Sequence, residues 1–282
     1  MKTQGYKLLD KTELRSLQLK GCEILLSVIS AINKMGLTYY CVGGTALGAI
    51  KYNGFIPWDD DIDIAMPRED YMKFIKEGNK FLPNNLFISS CFSEKKYFGS
   101  VTKIRDINTA YFDIETARFN ICHGVFIDIF PIDGYAPASS LDSFKKKLFK
   151  GKITYFEHQG GSFANRTKRI ICAILCFWKS LNKCSQSCEK ILMKNKINDC
   201  SSVFNRIMIF DKDIFGKPST GTFEGIKVNL PEKVYEYLKI CYGDISKDLP
   251  KEKQFPHHFA LCINTKKSYK EYRYKNGEII EL

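Results

Sequence analysis

Val42-Gly43-Gly44-Thr45-Ala46-Leu47-Gly48 and, shortly after it, Pro57-Trp58-Asp59-Asp60-Asp61-Ile62-Asp63-Ile64 decide how this chain reads. An apolar strand running into two glycines and then a helix lets backbone N–H groups approach a phosphate, with the helix N-terminus adding partial positive charge. Gly43, Gly44 and Thr45 are therefore candidate substrate-binding residues. Asp61 and Asp63 are two apart, interleaved with Ile62 and Ile64, so strand alternation puts both carboxylates on one face and both isoleucines on the other. Like charges side by side on a strand repel. Hard oxygen ligands on one face suit a Mg²⁺ ion that also holds a phosphate. A solvated acidic loop is the competing reading, and the apolar frame of Phe55, Ile56, Pro57 and Trp58 argues against it. Asp59 shares the parity of the pair, but neither its direction nor that of Asp60 follows from the pattern.

A third carboxylate is expected on a neighbouring strand. Gly124-Val125-Phe126-Ile127-Asp128-Ile129-Phe130-Pro131 embeds a single acid in an apolar run, which is unfavourable unless the acid faces a metal, a cation or a catalytic task. Asp128 is that candidate, with pairing to a buried Lys or Arg as the alternative. Lys103 and Arg105 alternate on a strand and are placed to grip phosphate oxygens from one side. His123 precedes the Asp128 strand and His257-His258 lies in the basic tail, where either could touch substrate, but a lone histidine is more often structural and they are left outside the core site.

Around these motifs the first half reads α-β-α-β-α. Asp10-Lys11-Thr12-Glu13 opens a long helix that Gly36 ends. Strands are expected at 39–42, 62–66, 86–89, 100–105, 110–115 and 125–130, and helices at 45–52 and 69–77. This is an α/β (α+β) mixed sheet with flanking helices over residues 1–136. After Pro137 the composition turns basic. Helices are expected at 141–150, 167–181, 187–196 and 231–241, Gly160-Gly161 breaks the first from the second, and 137–282 reads as a mostly helical region completing the substrate site. Ile170 to Trp178 is a run of nine apolar residues between Arg169 and Lys179, too short for a bilayer span of about 20 residues. It is read as a core helix, with a membrane-surface helix as the alternative.

The 282 residues are 44% hydrophobic and 26% charged, which fits a globular chain rather than a disordered one. Residues 1–135 carry 16 Lys/Arg and 16 Asp/Glu, so the whole net charge of +12 falls in 136–282, with 27 − 15 = +12. That asymmetry points to an anionic partner: a phosphate-rich polymer, a nucleic acid or an anionic membrane. No zinc-finger, RNP-like or helix-turn-helix signal supports nucleic acid. The eleven cysteines lack a C-x-x-C pair and read as reduced, mostly buried thiols. With a polar start at 1–10, the expected location is cytoplasmic, peripheral to the membrane's inner face.

The G-G-T…W-D-D-D-I-D-I block, the H-G-V-F-I-D-I-F-P segment and Tyr242-Gly243-Asp244 resemble the LicD family, and with it the bacterial relatives of fukutin and fukutin-related protein. The resemblance implies a nucleotidyltransferase fold. It also implies transfer of a phosphorylated alcohol, typically phosphocholine from CDP-choline, to a cell-surface glycan precursor. It assigns Gly43 and Gly44 to the phosphate turn, Asp61 and Asp63 to the metal pair, and Asp128 to the third acid, which completes the metal site or accepts a proton. Sixteen residues separate Gly44 from Asp61, a longer spacing than in nucleotidyltransferases at large. A quaternary ammonium donor needs ring faces, and Trp58 beside the acids is the candidate. The alternatives are a nucleotidyltransferase that releases pyrophosphate and a module that binds nucleic acid or another anionic polymer.

Overall fold

The computed structural model describes residues 9–135, 139–157, 163–195, 200–203, 208–248, 250–251, 254–256 and 258–282. Pro137, Gly160-Gly161 and His257 lie outside them. Helix α1 (Lys11–Lys34) opens with the expected capping box. The Asp10 carboxylate accepts from Thr12 and Glu13, and the Glu13 side chain accepts from Asp10 N–H. Then come β1 (Tyr40–Cys41), α2 (Gly43–Lys51), β2 (Asp63–Pro67), α3 (Arg68–Glu77), β3 (Leu86–Ser89), β4 (Thr102–Asp106), β5 (Ala110–Asp113) and β6 (Val125–Gly134). The first-half expectation holds element by element.

The central sheet runs β1-β2-β6-β4-β3. β2 and β6 are parallel, while β1 with β2, β6 with β4 and β4 with β3 are antiparallel. The topology follows from the connections: β2 reaches β6 only after α3, β3, β4 and β5, a crossover long enough for parallel pairing. All ten residues of β6 are buried, as expected of a central strand covered on both faces. α1 lays Leu17, Leu25, Val28 and Ile32 against this sheet in the main core.

Helices α4 (Ser140–Glu157), α5 (Phe163–Leu175) and α6 (Leu181–Leu192) follow. The expected helix at 167–181 ends earlier, because Ser180 accepts from Lys183 N–H and caps α6 instead. The core-helix reading of Ile170 to Trp178 is corrected. Ile171, Ile174, Leu175, Phe177 and Trp178 are exposed, and Cys176 alone is fully buried.

Beyond α6 the mostly helical expectation fails. The chain forms β7 (Cys200–Val203), β8 (Met208–Asp211), β9 (Ser219–Phe223), β10 (Ile226–Leu230), α7 (Val234–Tyr242), β11 (Ala260–Asn264), β12 (Tyr272–Lys275) and β13 (Glu278–Glu281). β7 extends the central sheet from β6, and β11 pairs with β5. These strands are four or five residues long, too short to show a period beside Lys and Ser. Val203, Phe210, Phe223, Leu230 and Tyr237 share one core with β1, β2 and β6, so packing crosses the compositional boundary at 136/137.

A buried ion triad ties α6 to the sheet. The Arg68 guanidinium donates twice to Asp133 at 2.7 Å and once to Glu189 at 2.8 Å. All three side chains are nearly enclosed. Removing the cation would strand two buried acids. Arg68→Met is expected to lower unfolding stability by about 3–5 kcal/mol, measured by urea denaturation followed by circular dichroism.

Candidate active site

Strand pairing assembles the site. Asp63 on β2 stands directly opposite Asp128 on β6, and Asp128 stands opposite Lys103 on β4. An acid, an acid and a lysine thus form one row across three neighbouring strands. Lys103 Nζ donates to both Asp128 oxygens, at 2.7 and 2.9 Å, and sits 3.4 Å from the centre of the Phe126 ring. Asp61 completes the cluster: it, Asp63 and Asp128 can each offer an oxygen, all within 4.8 Å of one another. The expected alternation is present. Ile62 and Ile64 are buried in the core, while Asp61 and Asp63 keep part of their surface open to a cleft.

The glycines make room for these acids. Gly43 has φ +56°, in the left-handed region, and a Cβ there would meet Asp63 Oδ2 at 2.7 Å. A Cβ on Gly44 would run into the Asp59 carboxylate. Gly43 N–H donates to the Tyr237 hydroxyl at 2.8 Å, which pins the turn to α7. Thr45, expected at the substrate, is buried, and its hydroxyl accepts from Asp63 N–H at 2.8 Å. It sets the height of the acid rather than facing the cleft.

Two cavities meet at the cluster. The larger, about 600 Å³, is lined by Gly43, Gly44, Asp59, Asp61, Asp63 and Trp58, together with Lys51, Lys247 and Tyr242. The smaller, about 310 Å³, is lined by Lys103, Arg105, Phe126, Asp128 and His258. Lys103 and Arg105 therefore lie on the opposite side from the glycine turn. Arg105 is buried and donates to Gly124 O at 2.9 Å, so it braces β6 as well as bordering the cavity.

His258, left outside the core site on the sequence alone, stands beside the acids. Pairing of β11 with β5 delivers it to the acids, with Nδ1 3.4 Å from Asp60 Oδ1 and 3.6 Å from Asp61 Oδ2. Asp60 also accepts from His258 N–H, and Gln18 on α1 donates to Asp59 O. All four aspartates of the Asp59–Asp63 stretch are thereby held in defined places. His123, by contrast, stacks on Phe112 and bonds to Phe119 O, and burial lowers it to about 4, in keeping with a structural role.

The electrostatics record crowding of like charge. Burial, then Asp61 and Asp60, raise Asp59 to about 8. Burial, then Asp61 and Asp128, hold Asp63 well above the carboxylate range, and burial raises Asp61 although His258 opposes it. Burial alone would lower His258, but the hydrogen bond to Asp60 and the charge of Asp61 raise it to about 9. Crowded, largely buried carboxylate oxygens make a donor set suited to a hard divalent cation, which would supply the neutralising charge. Asp61, Asp63 and Asp128 fit that role, and Asp60, Asp61 and His258 also lie within reach of one another.

Residues 36–165 match the LicD/FKTN/FKRP nucleotidyltransferase domain. The chain carries a domain of the LicD family. All three cation-binding candidates and the glycine turn fall inside that LicD-type domain, and His258 falls outside it. The chain is 26% identical over 264 residues to the lipopolysaccharide cholinephosphotransferase LicD of Haemophilus influenzae, covering 89% of this chain and 97% of that protein. A shorter match, 42% over 43 residues, joins it to an uncharacterized protein of Rickettsia typhi, covering 15% of this chain and 14% of that one. The match to LicD covers 89% of this chain and therefore extends well beyond residues 36–165.

The titrations predict a pH dependence. Asp59 and His258 both have folded values above their ordinary ones, so each contributes stability that is complete below the unfolded value and lost as pH rises through the folded one. Metal-free protein is therefore expected to melt at progressively lower temperature from about pH 4 to pH 9, Asp59 acting between 3.8 and about 8 and His258 between 6.5 and about 9. Added Mg²⁺ should raise the melting temperature most at the alkaline end. Differential scanning calorimetry with EDTA and with Mg²⁺ checks both trends. A rise with pH in EDTA would contradict the charge crowding.

Proposed function

We propose that this protein is a Mg²⁺-dependent phosphotransferase that moves phosphocholine from CDP-choline to a glycan of lipopolysaccharide type on the cytoplasmic side of the membrane. The observation that carries this reading is the acid cluster standing between two cavities, Asp61 and Asp63 facing the larger and Asp128 the smaller. A two-substrate transfer needs that arrangement, because donor phosphorus and acceptor hydroxyl must meet at the charge-neutralising centre without sharing a compartment. The larger cavity has the volume of an ordinary small-ligand site, and its glycine turn admits a diphosphate to the start of α2. The smaller takes the acceptor sugar.

In this reading the acceptor hydroxyl attacks the phosphorus that bears choline, the bond to the bridging oxygen breaks, and CMP leaves. A Mg²⁺ held by Asp61, Asp63 and Asp128 supplies neutralisation of charge on the phosphates and the leaving oxygen. Lys103 holds Asp128 in register by its two hydrogen bonds. Asp128 is also the carboxylate on the acceptor side, positioned to take the hydroxyl proton. Trp58 offers a ring face to the quaternary ammonium group, and Lys51 and Lys247 offer charge to the phosphates. The identity of the full-length relative favours choline as the transferred alcohol.

CMP release from CDP-choline in the presence of a lipopolysaccharide acceptor is the direct assay. Asp61→Asn and Asp63→Asn are each expected to lower kcat by about 10²–10³-fold with the fold retained by circular dichroism. CDP-choline should be used in preference to CDP-linked polyols and to CTP. Pyrophosphate released from CTP in place of CMP would replace this reading with nucleotidyl transfer. Full activity in either folded variant would remove the aspartates from the mechanism.

A further inference from the structure

The most unusual surface of the molecule lies away from the acids, on α5 and the turn that follows it. Ile170, Ile171, Ile174 and Leu175 are exposed, and Phe177 and Trp178 are 79% and 69% exposed. At about 100° per residue, the four aliphatic residues occupy one arc of the helix about 140° wide. Cys172 and Ala173 fall outside it and are partly covered. Exposed Arg166 and Lys168 fall at the two edges of that arc. The phenylalanine and tryptophan continue the face beyond the helix end, packed edge to face with ring centres 5.6 Å apart.

The turn is fixed in place. Lys152 on α4 is 6% exposed, and its ammonium donates to Cys176 O and Lys179 O, so a buried cation is committed to the end of α5. Cys176 is buried at 0% exposure, while its neighbours Phe177 and Trp178 stand in solvent. This is a held conformation and not a frayed end. Charge marks the same segment: from residue 163 to residue 188 there are Arg166, Lys168, Arg169, Lys179 and Lys183 and no Asp or Glu.

We propose that this face docks on the surface of an anionic phospholipid bilayer, with α5 lying in the interface plane and Phe177 and Trp178 inserted below the headgroups. An arc of aliphatic side chains flanked by cations, ending in aromatic rings, matches the layering of such a bilayer: acyl chains, then the interface, then headgroup phosphates. Each part of the face has a counterpart in depth. A second copy of the chain would bring five like charges against five, and a soluble anionic polymer would leave the six apolar side chains wet. The inference stands apart from the proposed reaction, since it uses no residue of the acid cluster.

The test is sedimentation of the full chain with vesicles of phosphatidylcholine alone and of phosphatidylcholine with phosphatidylglycerol. Binding is expected only to the anionic vesicles, and it should weaken from 0.1 M to 1 M salt as the Debye length falls from about 10 Å to about 3 Å. The double substitution Phe177→Ser with Trp178→Ser should lower the partition coefficient at least about tenfold, and Arg166→Glu with Lys168→Glu should abolish the preference for anionic lipid. Because the chain has two tryptophans, a Trp58→Phe variant reports Trp178 alone. Its emission should shift to the blue and be quenched by brominated acyl chains. Unchanged vesicle binding by the Phe177/Trp178 double variant, or no quenching of Trp178, would overturn the proposal. So would a dimer in sedimentation equilibrium that the same double substitution dissolves. Both readouts are independent of CMP release, so failure here leaves the reaction untouched and failure of the reaction leaves this intact.

Discussion

Two carboxylates placed side by side on parallel strands are the constraint on which the structure depends. Asp63 and Asp128 occupy paired positions in the middle of a buried sheet, where ionising both is unfavourable without compensating positive charge. Lys103 supplies part of it from the next strand, bonded to both oxygens of Asp128. The remainder would fall to a cation held by Asp61 and Asp63. A divalent ion and the phosphates it carries would relieve this crowding, which would favour binding of a charged donor.

Much of the surrounding fold serves to hold those acids at their spacing. Thr45 bonds the backbone of Asp63, Gln18 reaches from α1 to the backbone of Asp59, and His258 fixes Asp60. Gly43 and Gly44 are small because the carboxylates of Asp63 and Asp59 occupy the space a side chain would take. Tyr237 joins the glycine turn to α7, so a helix from the far end of the chain braces the first βα turn. The interlocking explains why core residues from both halves belong to one cluster despite the abrupt change in composition.

The acids were legible in the sequence because their surroundings carry a period. Ile62 and Ile64 alternate with Asp61 and Asp63, and Asp128 is a lone charge in an apolar run, so local pattern alone separated them from a solvated loop. Lys103 was also conspicuous. Its partner was not, because register between β4 and β6 is a tertiary property, and the lysine expected to grip phosphate holds Asp128. His258 lies 198 residues from Asp60, beyond any local signal, and reaches it only through the β11–β5 pairing. Other misses were readable. Asn276-Gly277, both at positive φ, forms the turn between β12 and β13, and such a pair is a strong hairpin signal. Glu224-Gly225 joins β9 to β10 with the same pair of signs, but Glu gives no such cue. For Ile170 to Trp178 the pattern showed an apolar run and could not say which way it faced.

The central claim is that Asp61, Asp63 and Asp128 form one cation-binding centre between two substrate compartments. Diffraction from crystals grown with Mn²⁺ in place of Mg²⁺ and with CDP-choline, recorded at the manganese absorption edge, tests it most directly. The account predicts an anomalous peak within coordination distance of oxygens from all three aspartates, with the diphosphate in the cavity of Gly43, Gly44 and Trp58. A peak elsewhere, or a diphosphate seated on the Lys103 side of the cluster, would contradict it.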